Sequence, residues 1–480
     1  MSKHISNATP AITAKPREKV LHADTIGRSL CQRQFRPAQD PPASTAPHPF
    51  NLKPTFHTKA PAPQWLAVPG QHLPGSATTS SETLMTESHR TTSFSRRSPP
   101  SESEHSSNLS DSALKYPRVV SLGGTATVQD AERLAAEYGL PSQMGLLDPS
   151  YTIFVGYEGH GGLCFKVLNK VAVVMGDPMC NAVEIAALMA EFKLYRRRKG
   201  WRMSVLGAGA NLVEYYMARK RKSTILKFGN NRVLNPLTNE VVHEKSGKRI
   251  LTQNRQLLNP SKGGLMLDIY TPSLHGTDYK LEWELSSLYH EWCIARNTAA
   301  TKDNKPQAFI TEYDPFLMSS LMTYIYARDE HGGVAGFAAL RWVGMKQGYH
   351  IDPCIAAPGA KQKGITDLLL FASMAHLRQL NISYLSIGYE PSESLPDISP
   401  SAIPVSLAHL ADKLYRYTFQ RLPLSGKKAY FDKFRPDDAQ SEPVYLIFPS
   451  RMPRPRDVVA VAHVANIRIR RLLFHGGRGL

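Results

Sequence analysis

The sequence predicts an α/β protein made of two layered α/β units in tandem, preceded by a long structureless tail. Three observations carry this. Strand-patterned runs alternate with helix-patterned runs twice along the chain, which argues sheets covered by helices. The first 115 residues show neither pattern. No apolar run approaches the roughly 20 residues that a membrane-spanning helix requires.

Residues 1–115 are dense in Ser, Thr, Pro and His, as in PPASTAPHPF and SFSRRSPPSESEHSSNLSDS. Such a segment buries too little apolar surface to offset its ordering entropy, so it is expected to be disordered. Its opening, MSKHISNATPAITAKPREKV, lacks the apolar centre of a secretory signal. It shares Ser, Lys and Arg richness with mitochondrial presequences, but a disordered head is the expectation.

The first unit is placed at residues 116–275. Asp130–Tyr138 reads as a helix, and Tyr151–Tyr157 and Leu163–Leu168 as strands joined by the turn-rich EGHGG. Val171–Met175 is a third strand, closed by Gly176-Asp177-Pro178. Asn181–Lys199 carries Ile185, Leu188, Met189 and Phe192 on one helical face. Met203–Gly207 is then a strand and Leu212–Arg219 a helix.

The second unit is placed at residues 276–450. Leu281–Ala295 and Tyr313–Met322 are expected as helices, and Gly333–Trp342 and Tyr349–Ile355 as strands. Ile365–Leu380 is a well-patterned helix, Tyr384–Gly388 a strand, and Val444–Phe448 the strand that closes the sheet. Residues 451–480 form a basic amphipathic segment, with Asp457–Phe474 helical and Arg468, Arg470 and Arg471 near its end. Its apolar face suits a membrane interface or packing on the folded body, and both readings stay open.

Charge narrows the partners. The 58 Lys and Arg exceed the 40 Asp and Glu by 18, and the tail holds only 13 of the former and 8 of the latter, so residues 116–480 keep an excess of 13. That attracts nucleic acid or an anionic membrane. Five scattered cysteines without a CxxC pair argue against a disulfide framework or zinc site. No HExxH occurs.

Two motifs suggest chemistry. Ala357–Leu370 runs strand, Gly-containing loop, helix, a layout whose backbone N–H groups hold oxyanions. It is loosely similar to the pyrophosphate loop of acetyltransferases, and equally to an ordinary strand-to-helix turn. Before it, His350, Asp352 and Cys354 alternate along a strand and are expected on one face, about 6.6 Å apart per step. Pro353 cannot donate to a ladder, so this strand is expected to be splayed or at an edge. Cys354 reads as a buried small residue in preference to a nucleophile. Basic clusters at Lys193–Lys199, Arg219–Lys222, Lys245–Arg255 and Lys427–Arg435, with Tyr195, Trp201, Tyr215, Tyr216 and Tyr430 nearby, point to nucleic acid.

Together, VVMGDPMC (Val173–Cys180), SGKRILTQNRQ (Ser246–Gln256), YHIDPCIAAPGAKQKGITDLLL (Tyr349–Leu370) with SIGYEPS, and GKKAYFDKFRP (Gly426–Pro436) with VYLIF resemble one family over residues 145–450. It is the C-terminal transferase domain of bacterial lysyl- and alanyl-phosphatidylglycerol synthases, the multiple peptide resistance factors. Fungal relatives attach amino acids to ergosterol. The chain shows neither the spanning helices of the bacterial flippase half nor a synthetase domain, so it looks most like the free-standing ergosteryl-glycine type.

The resemblance implies two tandem acetyltransferase-like (GNAT) domains behind the disordered tail. It implies transfer of an amino acid, glycine first, from aminoacyl-tRNA to a membrane lipid, the 3β-hydroxyl of ergosterol first, without cofactor or metal. The partners are then glycyl-tRNA, a lipid or sterol acceptor and a peripheral membrane contact, without DNA. Asp352 matches the family's acidic residue and Lys433-Phe434 its closing motif; the catalytic pair is expected to be Asp352 and Lys433. His350, Gly364, Tyr430, Phe434, Gly176 and Asp177 are expected to bind substrate. Lys248, Arg249, Arg255, Lys428 and Arg435 are expected to bind tRNA. Ile355 stands where the family usually has an arginine, and Phe431 where many members have a lysine. Both departures suit an acceptor without phosphate, such as a sterol, or a divergent activity. Rival readings are an aminoacyl-phosphatidylglycerol synthase, an acetyl-CoA-dependent N-acetyltransferase using the Ala357–Thr366 loop, and a non-enzymatic RNA-binding protein.

Overall fold

The computed structural model describes residues 22–36, 118–123, 129–220, 223–302, 313–392 and 425–466. The chain opens with α1 (His22–Gln34), β1 (Arg118–Ser121), α2 (Gln129–Tyr138), β2 (Thr152–Val155), β3 (Gly162–Leu168) and β4 (Val171–Met175). Next come α3 (Ile185–Arg198), β5 (Arg202–Ala208), α4 (Ala210–Met217), β6 (Thr224–Leu234), α5 (Lys248–Leu257) and β7 (Met266–Tyr270). Then follow α6 (Pro272–His275), α7 (Tyr279–Lys302), β8 (Met322–Arg328), β9 (Val334–Val343), β10 (Gly348–Ala356) and α8 (Ile365–Gln379). The described chain ends with β11 (Leu385–Pro391), α9 (Ser425–Asp432), β12 (Glu442–Phe448) and α10 (Pro455–Val464).

The described strands form one sheet in the order β1-β2-β3-β4-β5-β12-β6-β11-β10-β9-β8-β7. Each half repeats one plan. Antiparallel strands lead into a helix that crosses over to a parallel neighbour: α3 links β4 to β5, and α8 links β10 to β11. The mixed α/β class expected from the sequence is therefore realised. The halves do not divide at residue 275, however. β6 pairs antiparallel with β11, and β12 returns to pair with both β5 and β6. Val444–Phe448, expected to close the sheet, is thus inserted at its centre.

Helices cover both faces. In the first half, α3 and α4 bury Leu188, Phe192 and Leu212 against β2–β5. α10 covers the opposite face with Ala460 and Val461 on Val171, Val173 and Phe448. Arg202 pins it by a two-pronged ion pair to the buried Asp457, at 2.7 and 2.6 Å. Over Pro455–Val464, then, the C-terminal helix is packed on the body; Arg468, Arg470 and Arg471 lie outside the described residues. In the second half, α8 packs one face, and α2 and α7 the other.

Three expectations need correction. Tyr313–Met322 is not a helix: Asp314 precedes Pro315 and its carboxylate accepts the Phe316 N–H at 3.0 Å, a side-chain turn that competes with helical bonding. Only a short 3₁₀ turn, Ser319–Leu321, precedes β8. β6 was hidden by Gly229-Asn230-Asn231, a turn signal overridden because strands flank it on both sides.

The third correction concerns the tail. Residues 22–34, within the stretch expected to be structureless, form α1, which buries Ala23, Ile26 and Leu30 in the core around α8. Gly27 allows the crossing, since a Cβ there would lie 2.3 Å from the Ala375 carbonyl oxygen. Asp24 pairs with Arg378 at 2.9 Å, and Gln34 donates to Thr271 at 3.2 Å. The remainder of residues 1–115 lies mostly outside the described residues.

Leu30 is only 1% exposed, so Leu30→Ala is expected to cost about 2–4 kcal/mol by transfer and cavity terms. Denaturant unfolding checks this, and a cost below about 0.5 kcal/mol would show that α1 does not belong to the folded core.

Candidate active site

Parallel pairing of β10 with β11 stops at Tyr349↔Leu385 and His350↔Ser386. Beyond it the strands diverge, as Pro353 implied, although β10 is an interior strand. Where they part lies a cavity of about 610 Å³. The second half supplies His350 to Ile355 and Ile387 to Tyr389, and the first half supplies Ser142, Met175, Leu206 and Gly207. Tyr289, Trp292 and Arg296 of α7 and Tyr430 and Phe431 of α9 complete much of a mostly apolar, aromatic wall.

A bulge decides which side chains meet. The β9–β10 register slips between Ile351 and Cys354. Tyr349 and Ile351 pack in the core around α8, and so do Cys354 and Ala356, while Ile355 joins the opposite cluster. The alternation has changed phase, because a bulge places two residues against one. Cys354 therefore leaves the face it was expected to share with His350 and Asp352. Its thiol contacts the Thr366 carbonyl at 3.6 Å, and burial pushes it up to about 12, which keeps it protonated.

His350 is buried at the end of a polar chain across three strands. Its Nδ1 lies 3.0 Å from Ser386 Oγ, Ser386 donates to Asn231 Oδ1 at 2.7 Å, and Asn231 donates to the Tyr384 hydroxyl at 2.9 Å. With the serine proton committed to Asn231, Nδ1–H is the donor and Nε2 the acceptor of the imidazole. Asp352 lines the cavity near Tyr289, whose phenol is raised mainly by burial and further by this carboxylate.

The other expected residues lie at varying depth. Tyr430 lines the cavity, and burial raises its phenol. Lys433 does not line it; its Nζ sits 2.9 Å from both Asp367 oxygens at the start of α8 and 4.3 Å from the Tyr430 ring centre. Phe434 is fully buried in the core and does not line the cavity, whereas Phe431, also packed in that core, does. Gly364 opens α8 at φ +91°, where a Cβ would strike Gln253. Gln253 in turn donates to the Lys363 carbonyl at 2.7 Å, latching α5 to the loop.

Gly176 and Asp177 do not line the cavity either. Gly176 donates to the Leu206 carbonyl at 2.8 Å, the last link between β4 and β5. Asp177 is buried and accepts the Gly209 N–H at 2.7 Å, capping α4. Among the basic residues, Lys248 and Arg249 are exposed on α5, beside the loop that carries Lys361 and Lys363. Arg255 is paired with Glu244 at 2.9 Å and Lys428 lies 3.5 Å from Glu390. Arg435 is exposed in a groove with Arg232, Asp432 and Asp438, where acidic neighbours offset it. Arg221, Lys222 and the Lys427 side chain lie outside the described residues.

Sequence reasoning missed the α7 contribution. Tyr289, Trp292 and Arg296 fall at i, i+3 and i+7, a spacing that puts them on one helical face and was the available signal. Arg296 stacks over Trp292 at 5.1 Å.

Residues 140–448 match a family model described as phosphatidylglycerol lysyltransferase, C-terminal. The fold is similar to that of L-PGS from Bacillus licheniformis, with 18% identity and a TM-score of 0.53, covering 72% of this chain and 98% of that one. It is also similar to the C-terminal domain of a putative lysylphosphatidylglycerol synthetase from Agrobacterium fabrum, with 17% identity and a TM-score of 0.52, covering 74% of this chain and 98% of that one. No curated protein matches the sequence.

Burial raises the Asp177 carboxyl from 3.8 to about 6. A raised carboxyl contributes stability below its unfolded value and loses it as pH rises through the folded one. Relative to Asp177→Asn, the wild type should lose about 3 kcal/mol of stability across that window. Parallel unfolding free energies at acid and neutral pH would contradict this.

Proposed function

Because the chain belongs to the phosphatidylglycerol lysyltransferase C-terminal family, we propose that it moves an amino acid from aminoacyl-tRNA to the hydroxyl of a membrane lipid. The observation that carries the reading is the cavity at the β10–β11 splay, which sets Asp352 and His350 in a mainly apolar, aromatic wall. Exchanging a ribose ester for a lipid ester asks for water exclusion, placement of the hydroxyl against the carbonyl, and stabilisation of charge. Asp352 holds the α-ammonium group or receives the hydroxyl proton. His350, buried beside it, backs the wall through its Nδ1 link to Ser386. Lys433 acts from behind, fixing Tyr430 and the start of α8 through Asp367.

The acceptor is best read as a sterol, with ergosterol's 3β-hydroxyl the first choice and glycine the first amino acid. Ile355 and Phe431 line the cavity as apolar side chains, so neither supplies a cation for a lipid phosphate. The exposed Lys248 and Arg249 belong to the surface proposed for tRNA. Action at a cytoplasmic membrane surface follows from the substrate; no described helix is long and apolar enough to cross a bilayer.

Incubation with radiolabelled aminoacyl-tRNA and sterol- or phosphatidylglycerol-containing vesicles, followed by thin-layer separation, tests the reading. Label in sterol supports it, label in phosphatidylglycerol transfers the proposal to that acceptor, and acetyl-CoA turnover without lipid label sinks it. Asp352→Asn should lower transfer at least about 100-fold, since either role needs the charge, while Cys354→Ala should stay within about threefold. The reverse pattern would establish a thioester route. Binding of tRNA should weaken with salt at a log–log slope of about −0.7 to −0.9 per phosphate contact, and Lys248→Glu with Arg249→Glu should flatten it.

A further inference from the structure

Arg341 of β9 is 1% exposed. Its Nη2 donates to the Leu140 carbonyl at 3.1 Å, while Nη1 is sealed from solvent with no acceptor among the described residues. In the sheet it stands opposite His350 of β10, and cross-strand partners project on the same face. Asp352, two residues beyond His350 and ahead of the change of phase, projects on that same face of β10, and Asp352, Tyr313 and Tyr389, all neighbours of the Arg341 charge, line the cavity. A guanidinium stripped of water with a donor unfilled is costly, and an apolar side chain of its length would fill the space without that cost. What the apolar side chain lacks is the charge.

We propose that Arg341 is a positioning residue whose fixed positive charge, behind the cavity wall, keeps Asp352 ionised for the transfer reaction. The proposal rests on the role given to Asp352 above. In that reaction the lipid hydroxyl oxygen bonds to the acyl carbon, and the carbonyl π pair moves onto its oxygen. The adduct then collapses with cleavage of the bond to the ribose oxygen, which takes up the proton given by the hydroxyl. A protonated Asp352 neither binds the α-ammonium nor accepts that proton. Tyr289 and Arg296 of α7, His350 of β10, Tyr389 of β11 and Tyr313 line the cavity with Asp352, and Cys164 of β3 is a further neighbour of Arg341. Arg296 is the second cation, but it lies at the cavity wall where solvent and substrate screen it; Arg341 is the one whose charge is fully desolvated.

The test follows the carboxylic-acid infrared band that appears on acidification and that Asp352→Asn removes. In Arg341→Met that band should appear at least about one pH unit higher than in the wild type, a tenfold change in protonation constant. Arg341→Lys should stay near the wild type. The acid limb of kcat/KM for transfer should move by the same amount, and the Arg341→Met melting temperature should not fall. Should the Met variant not fold, Arg341→Gln, which keeps a donor for Leu140 without the charge, must give the same shift. An unmoved band, or a lowered melting temperature shared by Met and Gln with no band shift, overturns the proposal and leaves Arg341 a structural residue. If the band moves while the wild type transfers nothing to any lipid, the proposed function fails and the electrostatic role stands.

Discussion

The pairing of β6 with β12 at the centre of the sheet is the constraint on which the rest depends. Each strand lies among strands of the other half: β6 beside β11, β12 beside β5. The eleven-residue β6 is bonded along both edges, so neither half completes its sheet without the other. The exchange also reaches the site. Asn231, in the middle of β6, accepts from Ser386, which positions His350. A defect at the central pair would thus be felt at the imidazole through two hydrogen bonds.

The cavity follows from two local failures of regular strand pairing. β10 and β11 separate after two parallel residue pairs, and β10 bulges against β9 over the next residues. Together these turn Asp352 toward α7 and Cys354 toward α8. The same bulge sets the thiol against the Thr366 carbonyl. α7 closes the other side with one face, Tyr289, Trp292 and Arg296. The site is therefore assembled from both halves, and within the first half Gly207, at φ +81°, lets Ser142 come close, since a Cβ there would lie 3.2 Å from it.

The electrostatics divide the molecule by depth. Exposed lysines and arginines on α5 and the loop before α8 are available to a polyanion, whereas Arg202 and Arg232 are held by carboxylates. Arg255 and Lys433 are also paired, so the count of basic residues in a cluster overstates the free charge it presents. Arg341 stands apart, because its charge is kept inside with one donor unfilled.

The sequence by itself determined the α/β class, nearly every helix and strand whose apolar spacing was regular, the family resemblance, and Asp352, His350 and Tyr430 as cavity residues. These are local properties: alternation, helical periodicity and short motifs survive without knowledge of the partner strand. Tertiary structure alone decided the rest. β6 became a strand despite its Gly-Asn-Asn because two neighbours supply its hydrogen bonds. α1 became a helix in a Ser/Pro-rich tail because α8 offers Ala23, Ile26 and Leu30 a place to bury. Phe431 and Phe434 both entered the core around α8, and only Phe431 also reaches the cavity wall, a difference set by what packs beneath them. Arg341, in a strand that reads as apolar, gained its meaning from the opposing strand, since register across a sheet is a long-range property that no window of sequence contains.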